Sequence, residues 1–191
     1  MDKMKRFAIY FAPRNGAFAD AAAAWLGWDL ARGRAVTQPA VDGLADLTAD
    51  PRNYGFHGTI KPPFRLAEGV DPADLSDGVA QLARTLRAVQ MPGLQMVLLE
   101  GFLALIPGPD PALSDLAAEV VHVLDPFRAP LTEAEVARRR PERLSPRQRD
   151  LLAVYGYPYV MEEFQFHLTL SGRLSGDDAP RLQTAAEAHF D

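Results

Sequence analysis

The chain has 191 residues, 48% of them hydrophobic, with 20 Lys and Arg against 25 Asp and Glu and a formal net charge of −5. That length fits one domain, of one or two lobes, with a sizeable core, and the acidic balance argues against a general nucleic-acid-coating protein, which is usually basic. The chain has no cysteine, which excludes disulfides, thiol nucleophiles and Cys-based zinc sites.

Four of the first six residues are charged. The apolar run after them is short and ends at Pro13-Arg14, too brief for a signal peptide or a membrane span, so the expected location is the cytoplasm with no membrane partner. Residues 7–12 read as a buried strand closed by the turn cluster Pro13-Arg14-Asn15-Gly16. Its Tyr10 either packs in the core with a satisfied hydroxyl or lines a groove. An Ala-rich helix is expected over 17–31, packed through Trp25, Leu26 and Trp28. Residues 33–53 form a long connection with room for a short helix. Residues 54–61 read as a strand stopped by Pro62-Pro63.

Asp71 and Pro72 open a helix to about residue 89, with Leu75, Val79, Leu82 and Leu86 as its apolar stripe. Two strands follow at 94–100 and 102–106 with Gly101 between them, then a helix at 112–124 that carries His122. An Arg-rich helical insertion occupies about 133–155, with Arg138, Arg139, Arg140, Arg143, Arg147 and Arg149 close together. It reads either as a solvated helical face or as a second anion site, since guanidinium forks suit phosphate oxygens. In the second reading Arg140 and Arg143 hold a second phosphate. Tyr155, Tyr157 and Tyr159 either line a groove or pack, and Tyr157 is the candidate substrate contact. A closing helix spans 175–190. His122 and His189 have no partner pattern and read as structural.

Two stretches share one pattern: Phe56-His57-Gly58-Thr59-Ile60-Lys61 and Phe166-His167-Leu168-Thr169-Leu170-Ser171. Each is His-x-Thr-apolar in a stretch with strand alternation. Alternation puts His57, Thr59 and Lys61 on one face, and His167, Thr169 and Ser171 on one face, with the apolar residues turned to the core. An imidazole with an ordinary pKa of about 6.5 gives or takes a proton near neutral pH. A hydroxyl two residues on lies about 6.6 Å along the same face and can donate to a phosphoryl oxygen. Two such copies facing one another would supply a base and an acid on opposite sides of phosphorus. The alternative is a pair of hydrogen-bonded structural histidines. No metal site is expected, because a catalytic zinc normally takes three protein ligands and these two histidines lack a third with recognisable spacing.

The paired motifs resemble the 2H phosphoesterase superfamily. The stretches Arg6-Phe-Ala-Ile-Tyr-Phe-Ala-Pro13, Gly101-Phe-Leu-Ala-Leu, Phe127-Arg-Ala-Pro-Leu131, Leu144-Ser-Pro-Arg-Gln-Arg149 and Gly156-Tyr-Pro-Tyr-Val-Met-Glu-Glu-Phe164 extend the resemblance to a bacterial branch associated with phosphonate operons. The resemblance implies an α+β fold. It would be one domain over 1–191, built of two pseudo-symmetric lobes, each an antiparallel sheet with outer helices, around a central groove carrying the two His-x-Thr strands. A weak internal repeat agrees with it: strand, Pro-rich turn, helix and motif strand occur before His57 and again before His167.

The expected function is that of a phosphoric diester hydrolase working without metal or cofactor on a small cyclic phosphate of a sugar or nucleotide, in phosphonate metabolism. His57 and His167 would be acid and base, Thr59 and Thr169 would hold phosphate, and Lys61, Tyr10, Tyr157, Arg140 and Arg143 would contact substrate. The alternatives are an enzyme that processes RNA ends carrying 2′,3′-cyclic phosphates and a protein that grips a phosphorylated sugar without turning it over. The oligomeric state is not legible.

Overall fold

A computed structural model describes residues 5–191; the first four residues of the charged start lie outside the described residues. In chain order the elements are β1 (Phe7–Phe11), α1 (Ala17–Leu26), β2 (Trp28–Asp29), β3 (Arg34–Ala35), α2 (Leu44–Leu47), α3 (Ala49–Arg52), β4 (Gly58–Phe64), α4 (Pro72–Thr85), β5 (Leu94–Leu99), β6 (Phe102–Pro107), α5 (Pro111–Val123), α6 (Glu133–Arg138), α7 (Pro146–Tyr155), β7 (Leu168–Arg173) and α8 (Asp178–Phe190). Short 3₁₀ turns lie at Asp125–Phe127, Pro141–Arg143 and Met161–Glu163. The fold is α+β with a mainly antiparallel sheet. Among the described residues no helix is long and apolar enough to cross a membrane.

The chain divides into two compact units, and the division falls inside β1 and inside β4. The first unit comprises Met1–Ile9, Thr59–Gln90 and Pro109–Gln165; the second comprises Tyr10–Gly58, Met91–Gly108 and Phe166–Asp191.

The second unit is built on antiparallel pairing of β5 with β6 and of β6 with β7. The hairpin between β5 and β6 closes through Glu100 and Gly101 at φ 48 and 92, the two positive values that a two-residue turn needs to match strand twist. The β6–β7 pairing holds Ala104 opposite Thr169 and Leu105 opposite Leu168, then shifts before Phe102. At that irregularity the Leu103 N–H donates to the Ser171 hydroxyl at 2.9 Å rather than to a carbonyl. β4 joins β7 through Gly58 opposite Leu168.

α1 packs on β7, and α8 packs on β5 and β6. The fully buried Trp25 anchors α1 by donating its indole N–H to the Leu170 carbonyl at 2.9 Å. α1 ends earlier than its composition suggests. Gly27 turns left-handed at φ 77, and its N–H closes on the carbonyls of Ala23 and Ala24. Trp28–Asp29 then pairs with Arg34–Ala35 instead of continuing the helix.

The first unit carries α4, α5, α6 and α7. Three of these helices start with complete capping boxes, Asp71 with Asp74, Thr132 with Glu135 and Ser145 with Gln148. Val121, Leu151 and Val160 form a buried cluster there, with Tyr155, Tyr157 and Met161 packed on it. β4 differs from the expected strand over 54–61. It starts at Gly58 and runs through Pro62-Pro63 to Phe64. The fixed φ of proline suits extended backbone, and the pairing with β7 is made at Gly58, several residues before the two missing donors.

Candidate functional site

His57 and His167 occupy matching places: each lies one residue before its strand, β4 and β7, and both belong to the second unit. Gly58 faces Leu168 in antiparallel register, so the two motifs meet at the residue that follows each histidine. Burial alternates as the pattern requires. Phe56, Gly58, Phe166, Leu168 and Leu170 are buried, while His57, His167, Thr59 and Thr169 are half-buried. The small residue between His57 and Thr59 is dictated by packing. A Cβ at Gly58 would stand 2.4 Å from Cε2 and Cζ of Phe166 and 3.2 Å from Cδ2 of Leu168.

The His57 ring is fixed by three neighbours. Its Nδ1 lies 3.0 Å from the Gly55 carbonyl, so Nδ1 carries the proton and donates, and in the neutral ring Nε2 is left as the acceptor. The Tyr10 ring lies 3.9 Å away at 35°, and the Tyr54 ring stands edge-on at 5.4 Å. Burial pushes the His57 imidazole below its ordinary pKa, the Gly55 carbonyl opposes that, and the charge of His167 lowers it further. His167 packs against the Phe102 ring at 5.7 Å. Tyr10 and Tyr54 keep 42% and 46% of their surface exposed, and burial raises the pKa of both hydroxyls. The sequence reading omitted Tyr54 and Phe102 from the site; the position of Tyr54, three residues before His57 across the turn glycine Gly55, was the available signal for the first.

The open polar face does not extend to the third member of either motif, and this corrects the alternation argument. Ser171 is 1% exposed, accepts from Leu103 and donates to the Gly172 carbonyl at 2.8 Å. Lys61 is 2% exposed. Its ammonium donates to the Val121 carbonyl at 3.1 Å, lies 3.5 Å from an Asp125 carboxylate oxygen and sits 5.2 Å from the centre of the Phe64 ring. Burial pushes its pKa down to about 8, with Asp125 pulling it up and Arg128 pushing it down.

Lys61 lines a pocket of about 170 Å³ within the first unit, together with Arg6, Arg65, Arg128, Arg138, Arg139, Glu135 and Tyr157. Arg139 lies over the Tyr157 ring at 4.7 Å. Arg140 and Arg143, the arginines of the insertion expected to contact substrate, are not the ones that line this pocket. Arg138 and Arg139 line this pocket; Arg140 and Arg143 are exposed and do not. The reason is a local backbone turn. α6 ends at Arg138, and Arg140 adopts a left-handed φ of 49 to start the next turn, which breaks the helical register. Arg147 pairs with Glu162, and Arg149 donates to the Leu144 carbonyl at 2.5 Å, so these two brace the insertion. Among the described residues no group of three or more His, Asp or Glu side chains is arranged to hold a metal ion.

Residues 59–191 match the family described as "Protein of unknown function (DUF1045)". The chain is 40% identical over 199 residues to a Janthinobacterium sp. (strain Marseille) protein named ribose 1,5-bisphosphate phosphokinase PhnN, covering 99% of this chain and 44% of that protein. A Laribacter hongkongensis (strain HLHK9) protein of the same name is 36% identical over 192 residues, covering 97% of this chain and 44% of its own length. The chain thus spans less than half the length of these curated relatives. No solved structure matches. The names correct the expected enzyme class: they denote a kinase, which transfers a phosphoryl group, where a phosphoric diester hydrolase was expected.

Proposed function

The chain belongs to the DUF1045 family, and on that premise we propose that it binds a phosphorylated pentose in phosphonate metabolism, with His57 and His167 as the groups that hold and exchange its protons. The observation that carries this reading is the matched placement of the two imidazoles in one unit, each half-buried and one residue before its strand, with the half-buried Thr169 two residues after His167. A neutral imidazole with Nδ1 tied to Gly55 accepts a hydrogen bond from a sugar hydroxyl at Nε2, and its protonated form donates to a phosphoryl oxygen. The Thr169 hydroxyl donates to a second such oxygen. Tyr10 and Tyr54 present partly exposed rings against which a pentose can lie. The relatives' name supplies the substrate class, a ribose carrying phosphate. A kinship of fold, not of activity, with the 2H superfamily is part of the same proposal and rests on the two His-x-Thr copies.

The test is calorimetric titration with ribose, ribose 5-phosphate and ribose 1,5-bisphosphate. We expect the phosphorylated sugars to bind at least about tenfold more tightly than ribose, and His57→Ala or His167→Ala to remove most of that preference, as loss of a charge-assisted hydrogen bond requires. Equal affinity for ribose and its phosphates overturns the proposal. The relatives' name favours a second reading, in which the chain itself transfers a phosphoryl group from ATP to ribose 1,5-bisphosphate. Formation of ADP that depends on that sugar, by the purified 191-residue chain, decides for it.

A further inference from the structure

The pocket of the first unit has an electrostatic composition at odds with the chain as a whole. Six of the chain's 20 Lys and Arg line it: Arg6, Lys61, Arg65, Arg128, Arg138 and Arg139. Two carboxylates serve them, and each is shared. Glu135 accepts from Arg65 at 3.0 and 3.1 Å and from Arg6 at 3.4 Å. Asp125 accepts from Arg128 at 2.8 and 3.1 Å and lies 3.5 Å from the Lys61 ammonium. Neither Arg138 nor Arg139 has a carboxylate partner among the described residues. A protein of net charge −5 has therefore gathered uncompensated positive charge around one concavity. Self-repulsion makes that arrangement costly unless an anion completes it.

We propose that this pocket is a binding site for a single phosphate monoester, carried wholly by residues of the first unit, none of which is His57 or His167. Three observations define the ligand. The charge excess fits a group carrying close to two negative charges at neutral pH, as a phosphate monoester does, better than a single carboxylate. The donors are mostly guanidinium forks, whose paired N–H groups match phosphoryl oxygens. The volume of about 170 Å³ is well below the roughly 300 Å³ at which pockets for drug-sized ligands begin, so the site takes a phosphate with a small attached group and not a nucleotide. The buried Lys61 supplies the floor. Its ammonium is held by the Val121 carbonyl, and burial weakens its hold on the proton, so a bound dianion meets a poorly solvated charge. Arg139, held over the Tyr157 ring, is pre-positioned and loses little freedom on binding.

The experiment is an NMR titration of the whole chain with inorganic phosphate, reading the side-chain Nε–H signals of Arg138 and Arg139 and the affinity they report. Saturable shifts are expected in the wild type and in the His57→Ala/His167→Ala double variant alike. In Arg139→Gln and Arg138→Gln the affinity for phosphate at this pocket, read from the remaining arginine signal, should fall about tenfold or more, the size of a lost charge-assisted hydrogen bond. Both arginines lie at the end of a short helix outside the buried cluster, so these variants are expected to fold. Lys61→Met gives a second reading where it folds, with a loss at least as large. No saturable shift in the wild type, or an unchanged affinity in both arginine variants, overturns the site. Loss of the shifts only in the histidine variant also overturns it, because phosphate would then be binding elsewhere. Failure of the histidine variants to change sugar-phosphate preference bears on the pentose reading alone.

Discussion

The Tyr10 ring lies 3.9 Å from the His57 imidazole, tilted by 35° to it. That contact excludes water from one face of the imidazole and helps make its charged form unfavourable. We predict that His57 titrates below 6.5 in the folded chain, by NMR of its ring protons. The depressed value means that His57 contributes stability above the unfolded-state pKa, and that this contribution is lost as pH falls through the folded value. His167→Ala and Tyr10→Ala should each raise the His57 pKa, the first by removing a like charge and the second by admitting water. A value above 6.5 in the wild type would show that burial does not govern this histidine.

Gly58 is predicted to tolerate no side chain. Gly58→Ala places a Cβ 2.4 Å from the Phe166 ring, and the strain of such overpacking costs about 1–3 kcal/mol. Phe166→Leu should recover part of that loss in the double variant, because the clash is with the far edge of the ring. Urea unfolding of the four proteins measures the coupling, and strictly additive effects would locate the strain in the backbone instead.

The buried Lys61 should write itself into the stability profile at alkaline pH. Its folded pKa of about 8 lies below the ordinary 10.5, so between these values the unfolded chain holds a proton that the folded chain has released. Stability therefore rises with pH across that window relative to Lys61→Met, by at most about 1.4 kcal/mol per pH unit. Asp125 and Arg128, the charged groups that act on this ammonium, are present in both proteins, so the difference between the two isolates Lys61. Parallel profiles from pH 7.5 to 10 would mean that the ammonium is not desolvated.

Glu135 is the acidic counterpart. The Arg65 side chain is the largest cause that holds its carboxyl down to about 2, with the Thr132 N–H and hydroxyl adding to it. A depressed carboxyl contributes stability above its ordinary value near 4.5 and loses it as pH falls toward 2. Glu135→Gln should lower stability at pH 7 by about 1–3 kcal/mol, since it weakens the α6 capping box and replaces the carboxylate shared by Arg65 and Arg6 with a neutral amide that has one acceptor oxygen. The gap between variant and wild type should close in acid; a gap independent of pH would assign the loss to packing.

Local signals in the sequence were informative where local physics decides. Asp71-Pro72 opens a helix as its side chains require, and Gly101 lies in the turn between the two strands it was expected to separate. The alternation in both motifs carried through four residues, with Phe56, Phe166, Leu168 and Leu170 buried and the two histidines half-buried. It failed at Lys61 and Ser171, because strand parity says which face a residue takes but not what covers that face. The Arg65–Glu135 and Lys61–Asp125 pairs join residues 70 and 64 positions apart and leave no trace in composition or spacing. The insertion's arginines were visible as a group, yet a single left-handed residue at Arg140 decides which of them reach the pocket.

The capping boxes of α4, α6 and α7 have a consequence for the order of events in folding. Each satisfies its own helix start with residues three apart, without help from distant chain. The second unit has no such start: α1 and α8 lack side-chain caps, and its sheet needs Gly58 to meet Leu168 across most of the chain. Short-range contacts form before long loops close. In pulse-labelled hydrogen exchange the first amides protected should therefore be those of α4, α6 and α7, with β7 protected only after the chain between the two histidines has been organised.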